Sequence, residues 1–160
     1  MTLGNVRNLY QQVIVERYKK PRFRGVAEPV HRHHRGHNPS CGDTIEITVS
    51  LKLDDQNRIE RACFEGEGCS IAMASADLMA EAVQGLTIPE ALHLVEQFQG
   101  MVKGEGSFPP EQRKLNVMQG VAQYPVRIKC ATLCWHTLKA ALEASTPLGV
   151  SDFVSNEATD

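Results

Sequence analysis

From Thr44 to Leu53 the chain alternates strictly: Ile45, Ile47, Val49, Leu51 and Leu53 are apolar, while Thr44, Glu46, Thr48, Ser50 and Lys52 are polar. A period of two predicts a β-strand with one buried face. Asp54 to Asn57 supplies turn residues, and Arg58 to Glu65 reads as the returning strand, with Ala62 and Phe64 on one side and Arg61, Cys63 and Glu65 on the other. The pattern is an antiparallel hairpin.

On either side of the hairpin the period lengthens to that of a helix. Val6, Leu9, Tyr10, Val13 and Ile14 form an amphipathic stripe that Pro21 closes. Past Gly66 and Gly68, the residues Ile71, Ser75, Leu78, Met79, Ala82 and Val83 share a helix face, with Ser70 as the expected N-cap and Gly85 after the end. Thr87, Pro89 and Glu90 mark another helix start, and Ile88, Ala91, Leu92, Val95, Phe98 and Val102 supply its stripe. A short helix is expected near Glu111 to Val121, with Pro125 as its stop. The last helix is expected from Arg127 to Ala144, with Ala131, Cys134, Trp135, Leu138, Ala141 and Leu142 facing inward and Cys130 in its first turn. Residues 21–40, rich in Pro and Gly, read as irregular chain with a short strand around Val30 to His34. The division is a domain over residues 1–145 and a mobile C-terminal tail over 146–160.

Composition removes several classes of function. The 160 residues carry 17 Lys and Arg against 19 Asp and Glu, a net charge of −2, so there is no global field for gripping a phosphate backbone and nucleic acid is not an expected partner. No run reaches the roughly 20 apolar residues of a membrane span, so no membrane partner is expected, and Met1 to Val15 does not read as an export signal. The expected compartment is cytoplasmic. In that reducing setting Cys41, Cys63, Cys69, Cys130 and Cys134 are read as metal ligands, reactive thiols or core residues before disulfides.

Cys41 precedes a strand, Cys69 precedes a helix and Cys130 opens another, and such element ends can converge at one pole of a layered α+β domain. Amides at helix N-termini favour a thiolate. Asp43, two residues after Cys41, adds an oxygen on the same side. Cys41, Asp43, Cys69 and Cys130 thus make a set of three sulfurs and one oxygen that suits tetrahedral Zn2+, with Zn–S near about 2.3 Å and Zn–O near about 2.0 to 2.2 Å. The separations alone match no compact zinc pattern.

The segments Asn38-Pro39-Ser40-Cys41-Gly42-Asp43, Gly66-Glu67-Gly68-Cys69-Ser70-Ile71-Ala72-Met73-Ala74-Ser75 and Arg127-Ile128-Lys129-Cys130-Ala131-Thr132-Leu133 together resemble the SufU/IscU family of iron-sulfur cluster assembly proteins, which is NifU N-terminal-like. The resemblance runs from about residue 5 to residue 144. It implies an α+β fold, a small and mainly antiparallel three-stranded sheet covered by about four to five helices. Lys129 stands where the scaffold branch carries His, and the stretch Lys103 to Tyr124 resembles an extension of the SufU branch.

That branch implies a zinc-dependent sulfurtransferase, with Cys41 as the catalytic thiol and Cys41, Asp43, Cys69 and Cys130 as zinc ligands. Its implied partners are a cysteine desulfurase of the SufS type, which donates persulfide sulfur after supplying a competing ligand that frees Cys41, and a downstream iron-sulfur assembly scaffold. Arg127 is expected either to steady a carboxylate or departing thiolate, or to make a surface salt bridge. Two alternatives stay open: a scaffold building a transient [2Fe-2S] cluster from iron on the same ligands, and a structural zinc adaptor that recruits the desulfurase.

Other chemistry-bearing residues receive plainer readings. Cys134, on the face of Trp135 and Leu138, and Cys63, on its strand, are expected to be structural. The cluster His31, His33, His34 and His37 with Arg32 and Arg35 reads as a mobile, partly basic surface segment near the site mouth, suited to docking an acidic desulfurase surface. Gly66 and Gly68 lack the endings of a nucleotide-binding loop and are assigned to a tight turn that delivers Cys69.

Overall fold

The computed structural model describes residues 3–54, 56–144 and 153–155. Helix α1 (Leu3–Lys19) leads into an irregular stretch and then strands β1 (Arg32–Asn38), β2 (Asp43–Lys52) and β3 (Arg58–Glu67). Helices α2 (Ser70–Val83) and α3 (Ile88–Val102), a 3-10 helix (Pro110–Gln123) and helix α4 (Pro125–Glu143) follow, and β4 (Phe153–Ser155) ends the described chain. This is the expected α+β fold. No helix among the described residues is long and apolar enough to cross a membrane.

The sheet order is β3-β2-β1-β4. Strands β1, β2 and β3 form the expected antiparallel sheet, with Asn38 opposite Asp43 at one end and Ile47 opposite Phe64 in the middle. Of the segment 146–160 expected as a tail, only Phe153–Ser155 lie within the described residues; they pair parallel with Arg35 to His37. The alternation of β2 lays Ile45, Ile47, Val49 and Leu51 on the inner face, where Ile59, Ala62 and Phe64 of β3 join them. Helices α2 and α4 cover that face. Behind them α3 stacks Phe98 on Trp135 of α4, with ring centroids 4.3 Å apart.

Residues 21–31 run along the β3 edge and then cross the outer face of the sheet. Gly25 N–H donates to Phe64 O and Phe64 N–H to Phe23 O, and Ala27 N–H donates to Thr48 Oγ1. This cover buries Thr48 and Cys63 on the side of the sheet away from the helices, so Cys63 is a packing residue.

Several sequence expectations are corrected. The strand around Val30 to His34 instead spans Arg32 to Asn38, and the histidine and arginine cluster belongs to β1 and not to a mobile segment. His34, Gly36 and Asn38 face inward while Arg35 points out to Glu46, with Nε to Oε2 at 2.7 Å. A Cβ at Gly36 would overlap Thr137 Oγ1 and touch Leu133 Cδ1, so the glycine is what lets α4 lie close on β1.

Pro125 does not stop the preceding segment but starts α4, because its fixed φ and missing N–H suit the first helical position. Cys130 consequently sits in the second turn of α4, not the first. The segment expected as a short helix from Glu111 to Val121 is a 3-10 helix over Pro110–Gln123, interrupted by Gln112 with φ −124° and ψ 27°. The helix start expected at Thr87, Pro89 and Glu90 is there, and the structure closes it with a capping box in which Glu90 N–H donates to Thr87 Oγ1 at 3.2 Å.

Candidate metal centre

The three thiols and the carboxylate come from three junctions. Asn38 O at the end of β1 accepts N–H bonds from Gly42 at 2.8 Å and Cys41 at 3.3 Å, closing a tight turn that holds Cys41 out toward solvent and starts β2 at Asp43. Cys69, not Ser70, is the N-cap of α2: its backbone is extended and its Sγ accepts Ala72 N–H at 3.4 Å. Cys130 reaches the same place from α4, where its thiol also contacts Val126 O one turn back at 3.7 Å.

Ligand atoms of Cys41, Asp43 and Cys130 lie within 4.8 Å of one another. The Cys41 and Cys130 sulfurs are 3.4 Å apart, close to the edge of about 3.8 Å that a tetrahedron with metal–sulfur bonds of about 2.3 Å requires. Cys69 falls outside that tightest group, but its backbone N–H is bound to Asp43 Oδ1 at 2.9 Å, which holds it beside the group. Cys41, Asp43 and Cys130 therefore fit a zinc-type donor set in chemistry and spacing, and Cys69 adds a thiol of the same chemistry outside that spacing.

Asp43 is completely buried, and its two oxygens are treated differently. Oδ1 accepts Cys69 N–H at 2.9 Å, and Oδ2 receives Asn38 Nδ2 at 3.4 Å. A Cβ on Gly68 would stand 2.5 Å from Oδ1, so only glycine lets the chain turn past the carboxylate and present the Cys69 amide. No Lys or Arg forms an ion pair with Asp43 among the described residues.

The thiols polarise one another. The hydrogen bond from Cys130 lowers the Cys69 thiol to about 6 against the cost of burial, with Ala72 and Ile71 amides of the helix start assisting and the Asp43 charge opposing. Cys130 moves the other way: interaction with the Cys69 thiol, burial, donation to Cys41 Sγ at 3.4 Å, and the charges of Cys69 and Asp43 all raise it. A divalent cation held among these groups would oppose the raising of Cys130, because its charge favours the thiolate.

The remaining sequence candidates lie elsewhere. The Arg127 guanidinium sits over the Tyr124 ring at 5.7 Å, not over a thiol or carboxylate, and makes no salt bridge among the described residues. Cys134 is buried behind the site, in contact with Ser75 Oγ, and burial pushes its thiol up to about 12. His31 Nδ1 accepts Leu51 N–H at 2.8 Å, and His33 Nε2 lies 3.2 Å from Glu46, so both serve the sheet.

One residue of the site escaped the sequence reading except as a letter in its motif. Asn38 is fully buried, its Nδ2 reaching Asp43 Oδ2 and, at 3.9 Å, Cys130 Sγ, while its Oδ1 has no hydrogen-bond partner. An Asn before Pro at a strand end was the available signal, but its turn-forming role accounts for it equally well.

The description "NifU-like N terminal domain" matches residues 9–145. The chain belongs to this family. Among NifU-like relatives, the zinc-dependent sulfurtransferase SufU of Bacillus subtilis (strain 168) is 43% identical over 137 residues, covering 85% of this chain and 90% of that protein. The iron-sulfur cluster assembly scaffold protein IscU of Streptococcus pyogenes serotype M1 is 38% identical over 148 residues, covering 91% and 89%. A solved structure of a putative iron-sulfur cluster assembly scaffold protein for the SUF system, from Fervidobacterium islandicum AW-1, superposes with a TM-score of 0.76 at 33% identity, covering 86% of this chain and 98% of that one.

Proposed function

We propose that this chain acts in iron-sulfur cluster assembly as a zinc-dependent sulfurtransferase, taking persulfide sulfur from a cysteine desulfurase of the SufS type onto Cys41. The observation that carries the reading is the asymmetry of the thiols. Cys41 is exposed on a turn between the small residues Ser40 and Gly42, whereas Cys130 is buried and Cys69, although exposed, is tied into the start of α2 through Ala72 N–H. Of these sulfurs, Cys41 is the one an incoming persulfide reaches with least movement of the fold.

Cys41, Asp43, Cys69 and Cys130 would hold the zinc ion. Bound zinc keeps its sulfur ligands deprotonated and guards them against oxidation. Asp43, the oxygen donor, is the harder ligand and supplies negative charge from the protein interior. The transfer itself is a thiol exchange: the Cys41 thiolate attacks the terminal sulfur of the desulfurase persulfide, a new S–S bond forms on Cys41, and the desulfurase cysteine leaves as its thiolate. The product, Cys41 persulfide, would pass to a downstream iron-sulfur assembly scaffold. Five free thiols suit a reducing cytoplasm.

Relatives named as scaffolds support a second reading, in which the same four residues hold a transient [2Fe-2S] cluster. A structural zinc adaptor is the third. One experiment separates them: the zinc-loaded protein is incubated with desulfurase and cysteine, then mapped by mass spectrometry. Added sulfur on Cys41, absent without desulfurase and absent in Cys41→Ser, is the expected result. An unmodified Cys41, with iron and sulfide giving a stable coloured cluster, would overturn the proposal in favour of the scaffold; no sulfur and no cluster would leave the adaptor.

A further inference from the structure

Asn38 stands where the two halves of the metal centre meet. Its backbone carbonyl closes the Cys41 turn, and its Cα is in register with Asp43. Its side chain, with no exposed surface, points at Asp43 Oδ2 (3.4 Å) and Cys130 Sγ (3.9 Å). Both of these neighbours are acceptors when charged. Only the NH2 end of the amide can face them, and turning the group over would set its oxygen against a carboxylate and a sulfur.

That orientation leaves Oδ1 buried without a partner, the only described side-chain oxygen in that condition. Burying an amide with an unpaired oxygen disfavours the fold relative to an apolar side chain of similar size, so packing does not explain an asparagine here. Donation to the ligands does. A hydrogen bond to a metal-bound thiolate fixes its direction and draws off charge, and partners outside the coordination sphere tune affinity in this way. Asp43 is held from both sides, Oδ1 by Cys69 N–H and Oδ2 by Asn38, and each oxygen keeps a lone pair free for a cation.

We propose that Asn38 is a positioning residue of the metal centre, whose amide orients Asp43 and Cys130 and sets how tightly the site holds its ion without touching it. The proposal rests on the metal-centre reading above. The test measures zinc affinity by competition with a chromophoric chelator for the full chain and for Asn38→Leu, which keeps the volume and removes the donor. The same proteins loaded with Co2+ report the sulfur-to-cobalt charge-transfer band.

Zinc affinity is expected to fall by about 10- to 100-fold, with the cobalt band moving to lower energy as the Cys130 sulfur loses its donor. An affinity within about twofold of the parent and an unmoved band would assign Asn38 to the fold alone and overturn the proposal. Asn38→Ala is read by the same criteria if the leucine variant does not fold. If neither variant folds, the parent protein carrying NMR-active cadmium decides: scalar coupling between the metal and the Asn38 amide protons through the Cys130 sulfur supports the proposal, and its absence overturns it. A parent protein that binds no zinc would defeat the metal-centre reading as well; one that binds zinc as tightly as its variants do would defeat only the role of Asn38.

Discussion

Among the described residues two aspartates have no exposed surface, and they live in opposite company. Asp77, in the middle of α2, meets Arg17 of α1 at 2.9 Å through Oδ2 and accepts the backbone N–H groups of Arg22 and Phe23, both at 2.8 Å, through Oδ1. Asp43 has one amide at 2.9 Å, a longer contact to Asn38, no arginine or lysine, and thiols around it. The first carboxylate finds its cation inside the chain and fastens the α1 end to the helical layer. The second is gathered with sulfurs and pairs with no lysine or arginine among the described residues. A buried carboxylate marks a site when its cation is missing, not because it is buried.

The largest effect expected from this contrast is on folding. Asp77→Ala leaves Arg17 buried against Glu81 alone and frees two amides, and should cost about 3–5 kcal/mol in urea unfolding of the metal-free protein. Asp43→Asn, equally buried, should change metal-free stability by no more than about 1 kcal/mol, because it gives up an uncompensated charge while keeping an acceptor for Cys69 N–H. Equal losses would break the comparison.

Metal should reverse the order. Zinc at about 1,000 times its dissociation constant stabilises the parent by about 4 kcal/mol if the unfolded chain does not bind it. In Asp77→Ala the increment should persist, since Asp77 lies about two turns along α2 from Cys69; in Asp43→Asn it should shrink at the same zinc concentration. Urea titrations with and without zinc check both. An Asp43→Asn protein that keeps the full increment would remove Asp43 from the ligand set.

These two ends were not equally legible in the sequence. Cys41, Asp43, Cys69 and Cys130 stood out because few other roles suit such residues at strand and helix ends, and the hairpin and helices followed from their periods. Asp77 was invisible: its partner lies sixty residues away, and Asp77 and Glu81, the two acids in a helix of alanines and methionines, read as solvated positions. Strand β1 was half hidden for a different reason. Its inward residues are His34, Gly36 and Asn38, which carry the period of two without the hydrophobicity that advertises it. Pro125 carried opposite meanings, stop or start, and only the chain on its far side decides between them.

A smaller effect sharpens the link between fold and site. Gly36→Ala should force α4 off β1 at Thr137 and Leu133, costing about 1–3 kcal/mol. Because Cys130 rides on the same helix two turns earlier, zinc affinity should fall with it. A variant that loses stability yet binds zinc normally would show that the thiol position is held by Asn38 and the Cys41 turn and does not depend on helix docking.

The smallest effect is in the acid limb, on the rim of the Asp77 cluster. Burial raises the Glu81 carboxyl, but hydrogen bonds from Lys114 and Arg17 and their charges outweigh it and hold the group below its ordinary 4.5. A depressed folded value means that the stabilisation is fully present above about pH 4.5 and is lost as the pH falls through the folded value. Glu81 is partly open to solvent, so the amount should not exceed about 1 kcal/mol. Measured on zinc-free protein, where acid release of metal cannot contribute, Glu81→Gln should lower stability at neutral pH and converge with the parent in acid. A constant offset across that range would mean that Glu81 acts by packing, and that Asp77 and Arg17 hold the α1 end without help from their rim.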